Sequence, residues 1–420
     1  MSEDKVVRFA KPVSVRDALT ELLREGAQRL LRQAVEAELE EFLAARDDER
    51  DGAGRAAVVR NGHLPEREVL TGIGPVTVQV PKVRSRTEEP AVFRSSLVPP
   101  YVRKAKSVEA ALPWLYLRGI SSGQMQEALS VMLGEEAVGL SAAVVSRLKA
   151  KWQAEHCAWS ERRLDADRWV YLWVDGVYSG VRAEDKRMCV LVVMGVNERG
   201  QKRFLAIEDG VRESAQSWRE VLLGLKSRGL TEAPLLAVGD GALGFWTALE
   251  EIFPSTRTQR CWVHKTANIL NYLPRTVQGK AKGMLHEIWM APTRTRARAA
   301  FDRFLETYEG KYPKAAECLR KDRDALLAFY DFPADHWVHL RTTNPIESTF
   351  ATVRHRTKVT KGPGSRSAGL AMAFKLIESA QARWRAVNAP HLVALVRAGA
   401  TFINGKLIER PGEEAQPEAA

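Results

Sequence analysis

The sequence predicts an α/β protein: a mixed-sheet core interrupted by an all-α insertion, behind a mainly helical N-terminal region. Three observations lead there. Between residues 166 and 261, apolar runs such as VYLWV, MCVLVVMGV and PLLAV alternate with turn signals and amphipathic stretches. After Cys261 the strand signal stops and helical periodicity takes over, as in TRARAAFDRFLETY and AAECLRKDRDALLAFY. Ahead of the core, apolar residues recur at helical spacing from Ser14 to about Ala45 and from Val108 to Trp152. At 420 residues and 45% apolar content the chain can fill several cores, which excludes a disordered protein.

Residues 1–60 form the first region. Ser14 can cap a long helix with Leu19, Leu22, Leu23, Leu30 and Leu31 largely on one face, and Arg46–Gly62 reads as a charged, glycine-bearing loop. Residues 61–107 contain a basic hairpin and linker, with two short strands around Gly72-Ile73-Gly74-Pro75. Its edge, with Lys82, Arg84 and Arg86, suits DNA phosphates or simply a solvated edge strand. In residues 108–165, Ser121 or Ser122 can cap a helix through Leu133, and Ser141 can cap SAAVVSRLKAKW. This pair resembles a helix-turn-helix that presents Arg147, Lys149 and Lys151 to DNA, although such hairpins are also common packing units.

The core opens at residues 166–261. RWVYLWVD is a strand ending at Asp175, and MCVLVVMGV and RFLAIE form an antiparallel hairpin through Asn197-Glu198-Arg199-Gly200. A helix from Ser214 sets Trp218, Val221, Leu222 and Leu225 at i, i+3, i+4 and i+7. PLLAVGD, ALGFWTALEEIF and STRTQRC follow as strand, helix and strand. The order β-β-β-α-β-α-β is that of a ribonuclease-H-like fold. There the first and fourth strands lie side by side, so Asp175 and Asp240, 65 residues apart, would meet at one sheet edge. The 107 residues from Asp240 to Glu347 are too many for a structureless loop in a compact domain, so residues 262–340 read as an all-helical insertion. Residues 341–390 return to the core, with a helix from about Pro345 that carries Glu347 and a last helix over Ser367–Val387. Residues 391–420 read as a C-terminal tail ending in the acidic GEEAQPEAA.

Asp175 and Asp240 each close an apolar run and precede a glycine, whereas Glu347 follows Asn344-Pro345. Three such carboxylates offer the hard oxygen ligands that Mg2+ takes. Two ions sharing an aspartate can activate a water or a 3′-hydroxyl and stabilise the leaving oxygen of a phosphodiester. The glycines after the aspartates are expected to leave space for a DNA backbone. Plainer readings exist for each residue. An Asp-Gly pair after a strand is commonly a turn, Asp240 can cap a helix, and Asn344, Pro345 and Glu347 fit N-cap, N1 and N3 of a capping box. Arg354 lies two helical turns beyond Glu347 on the same face, and Arg356, Lys358 and Lys361 extend a basic track for phosphates. Cys261 and His264 form a C-x-x-H pair at the end of the fifth strand. No second pair with finger-like spacing lies nearby to complete a zinc site, so a structural or substrate-contacting role is expected.

The formal charge of +11 is unevenly placed. Residues 1–60 carry 11 basic against 13 acidic side chains, residues 255–303 carry 10 against 2, and residues 354–385 carry 8 against 1. Positive charge thus gathers around the second half of the candidate site, as a polyanionic partner requires. Four scattered cysteines and the absence of a signal sequence or of an apolar run of roughly 18 residues point to a reducing cytosol and no membrane span.

Four passages occur in the order DGVYSGVR, GDGALGF, RCWVHKTANIL and TTNPIESTFATVRHRT. With RNGHLPEREVLTGIGPVTVQVPKVRS and YLRGISS…LSAAVVSRL upstream, the chain resembles the Mutator-type transposases of bacterial insertion sequences, within the DDE group, from about Arg60 to Arg385. The resemblance implies a ribonuclease-H-like catalytic core with an all-helical insertion before the glutamate. It implies Mg2+-dependent cleavage at terminal inverted repeats and strand transfer by a 3′-hydroxyl into target DNA. Asp175, Asp240 and Glu347 become the catalytic, metal-binding triad for two Mg2+ ions, with Mn2+ as a substitute. A homodimer or higher homo-oligomer that synapses two ends, in the bacterial cytoplasm on the nucleoid, is implied as well. Cys261 and His264 become the family's C-x-x-H signature, with no role assigned. Two other readings stand beside this one: a DNA-binding regulator that keeps the fold without catalysis, and a structure-specific nuclease that uses water alone.

Overall fold

A computed structural model describes residues 18–117, 120, 122–133, 142–179, 188–210, 212–241, 243–359 and 365–408. The chain divides into two compact units, one up to Leu148 and one from Lys149 onward. The helix caps expected at Ser14, Ser121 and Ser141, the track residue Lys361 and the acidic GEEAQPEAA end lie outside the described residues.

The first unit runs α1 (Ala18–Ala44), β1 (Val58–His63), β2 (Arg67–Thr71), β3 (Gly74–Val78), β4 (Pro81–Ser85), α2 (Lys106–Leu117) and α3 (Ser122–Leu133), and α4 (Ala142–Ser160) crosses the division. The hairpin around Gly72-Ile73 is β2–β3, closed by a Thr71–Gly74 pair. Strand β1 arises in the segment read as a loop and pairs with β4. Lys82 and Arg84 therefore sit on a paired strand, exposed between buried Pro81 and Val83. Helix α1 also differs from expectation. Its buried face is set by Val35 and Leu39, flanked by Leu31, Phe42 and Leu43, whereas Leu19, Leu22, Leu23 and Leu30 are 52–67% exposed. The apolar stripe read from the first turns belongs to the opposite side of the helix from the one that meets the strands.

The second unit is built on five strands in the order β7-β6-β5-β8-β9: β5 (Trp169–Ser179), β6 (Met188–Asn197), β7 (Lys202–Gly210), β8 (Leu236–Gly239) and β9 (Arg257–Arg260). β5, β6 and β7 are antiparallel neighbours, and β8 and β9 continue the sheet in parallel. Gly200, at φ +75°, closes the β6–β7 turn where Asn197 accepts its N–H. Helices α5 (Ala215–Ser227) and α6 (Leu243–Ile252) bury Trp218, Val221, Leu222, Leu225, Phe245 and Leu249 against Leu172, Val174, Leu191 and Ala237 of one sheet face. Ser214 caps α5 through the Ser217 N–H, as its position before the helical periodicity predicts.

After β9 the chain is helical: α7 (Trp262–Leu270), α8 (Arg275–Met290), α9 (Arg294–Tyr308), α10 (Pro313–Arg320), α11 (Arg323–Leu326), two 3₁₀ turns and α12 (Trp337–Leu340). α13 (Asn344–Val359) returns to pack against β5, and α14 (Arg366–Gln381) lies on β7, ending six residues before the Val387 boundary expected from sequence. The segment read as a tail is folded through residue 408: α15 (His391–Arg397) is followed by a hairpin of β10 (Phe402–Ile403) and β11 (Lys406–Leu407). Asn404 and Gly405, both at positive φ, supply the two-residue turn, and Asn-Gly is the sequence signal for it.

Candidate active site

Strand register brings the two aspartates to one place. In the β5–β8 pair, Trp173 stands opposite Val238, so two further residues along each strand set Asp175 opposite Asp240. Strands alternate faces, and Val174 and Ala237 point toward α5 and α6. Asp175 and Asp240 thus share the other face with Tyr171 and Trp173. On that face the Trp173 indole N–H donates to the His339 carbonyl at 3.1 Å, and the Tyr171 hydroxyl meets His336 Nδ1 at 2.9 Å. One detail departs from the expectation: Asp175 does not end its strand. β5 continues to Ser179 beside β6, and only its parallel neighbour stops near the aspartate. Asp240 follows β8 directly, and its carboxylate accepts the Gly241 N–H rather than capping α6.

Glu347 reaches the same place from α13. His264, on the first turn of α7, stands between the carboxylates, with Nδ1 3.9 Å from Asp240 Oδ1 and Nε2 3.6 Å from Glu347 Oε1. The capping-box alternative is not what forms. α13 starts at Asn344, whose N–H is taken by Thr342 Oγ1, and the Glu347 carboxylate accepts a 2.5 Å hydrogen bond from the Thr343 hydroxyl. Cys261, His264 and Glu347 place one potential ligand atom each within 4.8 Å of one another. A search for finger-like spacing could not find this trio, because its third member lies 83 residues beyond His264.

Two participants escaped the sequence reading. Thr343 is one, and Glu213 is the other. Glu213 precedes the α5 cap, where an acidic residue looks like an ordinary helix-start charge. Its carboxyl group lies over Gly176, so that a Cβ there would come within 2.3 Å of it. Burial and then the Asp240 charge raise the Glu213 pKa above the usual carboxylate range. The space beside Gly176 is therefore filled by Glu213, and that beside Gly241 by Arg260, with a guanidinium nitrogen 2.7 Å from a Cβ placed there. Because the flexible end of Glu213 can shift, we expect Gly176→Ala to cost no more than about 1 kcal/mol, the low end for overpacking. Most of that should be recovered in Gly176→Ala/Glu213→Ala, measured as a thermal double-mutant cycle. Additive losses would mean that the two residues do not touch.

Residues 3–386 match the family described as "Transposase, Mutator family". The chain belongs to the Mutator family of transposases. Among similar proteins, the transposase for insertion sequence element IS6120 of Mycolicibacterium smegmatis is 56% identical over 306 residues, covering 73% of this chain and 94% of that protein. The transposase for insertion sequence element IST2 of Acidithiobacillus ferrooxidans is 54% identical over 281 residues, or 67% of this chain and 95% of that protein. The transposase for IS406 of Burkholderia multivorans is 33% identical over 338 residues, covering 80% and 84%.

In this Mutator-family chain the basic residues divide into two sets. Arg257 and Arg294 pair with Asp331, Arg260 and Lys265 with Asp322, and Arg303 with Glu287. A charge count over residues 255–303 overstated the free charge because Asp322 and Asp331 lie outside that window. Arg275, Lys280, Lys282, Arg296 and Arg298 are exposed. On α4, Arg147 and Lys151 share a face and are exposed, whereas Lys149 points some 200° away and is half-buried. The three do not form one DNA-facing row. Arg354, Arg356 and Lys358 lie on α13, their side chains outside the described structure.

A hydrogen bond with Cys261 raises the His264 pKa from 6.5 to about 9, aided by the Asp240 and Glu347 charges and opposed by burial. The folded state holds this proton more tightly than the unfolded chain. Its stabilising contribution is complete below pH 6.5 and is lost as the pH rises through about 9. For the Mutator-family chain free of divalent cations, we expect a decline on the order of 1–3 kcal/mol across that window, after allowance for partial exposure. His264→Gln should flatten it in unfolding measured against pH. An equal slope in the variant would remove His264 as the source.

Proposed function

We propose that this chain is the DNA transposase of an insertion sequence, cutting DNA at terminal inverted repeats and joining the freed 3′-hydroxyl to target DNA. The observation that carries the reading is the register that aligns Asp175 with Asp240 on the sheet face to which α13 brings Glu347. The strand order with two parallel strands beside an antiparallel three supports a ribonuclease-H-like core, with residues 262–340 as its helical insertion. The names of the similar proteins support the same role.

The donor set suits Mg2+, with Mn2+ as a substitute: carboxylate oxygens without a thiolate among the triad. Burial first, and then the Asp240 charge, raise the Glu213 pKa, so a further carboxyl group stands beside the triad. Asp175, Asp240 and Glu347 would hold two ions. When bound, those ions supply Lewis-acid stabilisation of the attacking and leaving oxygens. His264 keeps a proton between Asp240 and Glu347 while no cation is present, holding two like charges near each other. DNA would follow the exposed basic residues of α8 and α9 and the track of Arg354, Arg356 and Lys358, with Arg147, Lys149 and Lys151 of α4 as further contacts. Two copies or more would synapse the two ends on the bacterial nucleoid. No described helix is long and apolar enough to cross a membrane.

Incubating the protein with Mg2+, a labelled inverted-repeat end and target DNA tests this. Joined products are expected. Cleavage without joining would support a nuclease, and binding alone a DNA-binding regulator.

A further inference from the structure

We propose that Cys261 and Thr343 form a clasp that sets Glu347 against Asp240, which gives the C-x-x-H pair a positioning role. The proposal rests on the triad reading above. Its basis is a chain of contacts. The Cys261 N–H donates to the Gly239 carbonyl at 2.9 Å, one residue before Asp240. Its Sγ accepts the Thr343 N–H at 3.3 Å, and Thr343 Oγ1 lies 3.3 Å from the same sulfur. Thr343 Oγ1 then meets Glu347 Oε1 at 2.5 Å and His264 Nδ1 at 3.4 Å. A second bond, from the Trp262 N–H to the Arg341 carbonyl at 2.9 Å, runs alongside. Cys261 is 1% exposed and Thr343 0%, so water does not compete for these groups.

Proton bookkeeping is consistent with the clasp. A hydroxyl has one proton and two lone pairs. The stronger, charge-assisted bond takes the Thr343 proton to Glu347. The Cys261 sulfur accepts the Thr343 N–H, and a Thr343 lone pair remains for His264 Nδ1–H. Thr343 thus fixes the carboxylate, Cys261 fixes Thr343, and the Cys261 backbone fixes both to the end of β8. Cys261, His264 and Glu347 also have the composition of a zinc site, with ligand atoms within 4.8 Å of one another. The Thr343 hydroxyl touches all three, and this favours the hydrogen-bonded arrangement.

Thr343→Val keeps the shape and removes the hydroxyl; Thr343→Ser keeps the hydroxyl. In the full chain, Thr343→Val should bind DNA ends like wild type yet need about 10–100-fold more Mg2+ for half-maximal cleavage, the usual cost of losing a group that hydrogen-bonds a metal ligand. Thr343→Ser should restore the wild-type titration. Should Thr343→Val fold poorly, Cys261→Ser, whose shorter side chain loosens the same contact, should shift the Mg2+ requirement in the same direction. An unshifted titration in whichever variant folds overturns the clasp. Glu347→Gln alongside separates the two readings. Full activity there overturns the triad and the clasp together, whereas an inactive Glu347→Gln beside an unshifted Thr343→Val overturns the clasp alone. Stoichiometric zinc in the purified protein, lost in Cys261→Ala, would also overturn it in favour of a metal site; none is expected.

Discussion

Glu347→Gln is expected to fold normally, bind DNA ends and lose cleavage by more than about 100-fold, beyond the upper range for losing a group that merely hydrogen-bonds a metal ligand. Glutamine keeps the length and the carbonyl that accepts the Thr343 hydroxyl, so the start of α13 retains its local bonding. It gives up the charge that a hard divalent cation requires. The neighbouring His264, 3.6 Å from Glu347, loses one of the carboxylates that hold its proton, so its pKa should fall as well. Paired measurements of unfolding temperature and single-turnover cleavage decide the matter. A Gln variant with full activity would reduce Glu347 to a structural acceptor for Thr343.

Trp262→Ala is expected to be the most destabilising single truncation near the site. The indole is 0% exposed at the point where β9 passes into α7, and its N–H donates to the Leu326 carbonyl at 2.9 Å. Removing a buried tryptophan typically costs about 3–5 kcal/mol. The Gln259 side-chain amide also donates to the Leu326 carbonyl, at 3.2 Å, so that oxygen keeps a partner and the loss should fall toward the lower end. In a unit of this size that corresponds to a drop of roughly 6–12 °C in thermal unfolding. Val338→Ala, at a residue of the same unit that is 61% exposed, should change stability by less than about 0.5 kcal/mol and serves as the comparison. Equal effects of the two would mean that the β9–α7 junction does not carry the load its burial implies.

The central sheet was readable because its strands are apolar on both faces and its turns carry strong signals, as in MCVLVVMGV followed by Asn197–Gly200. Once the element order was read, the meeting of Asp175 and Asp240 followed from topology. Strand β1 was hidden because VVRNGH has only two apolar residues and is exposed over most of its length. On α1 the exposed leucines are as apolar as the buried ones, and periodicity alone does not say which of two stripes finds a partner. Glu213 and Thr343 were illegible for another reason. Their partners, across Gly176 and at Cys261, are remote in sequence, and each has an ordinary local explanation at a helix start. The end of β5 was misjudged because the Asp-Gly pair resembles a turn, whereas β6 continues to pair with it through Ser179.

The bond between Cys261 and Thr343 joins residues that are 82 positions apart, so the points where the helical segment leaves the sheet and returns to it lie side by side. A loop held at both ends by its host pays closure entropy that grows only logarithmically, about 0.6 kcal/mol for each doubling of length. Extra residues in the outer turns of that segment would therefore add little cost, whereas Leu326, His336 and His339 tie its inner parts to Trp262, Tyr171 and Trp173. An insertion in an outer turn need not move the carboxylates that the clasp joins. The architecture separates the joined ends, which must stay fixed, from outer turns that are free to diverge.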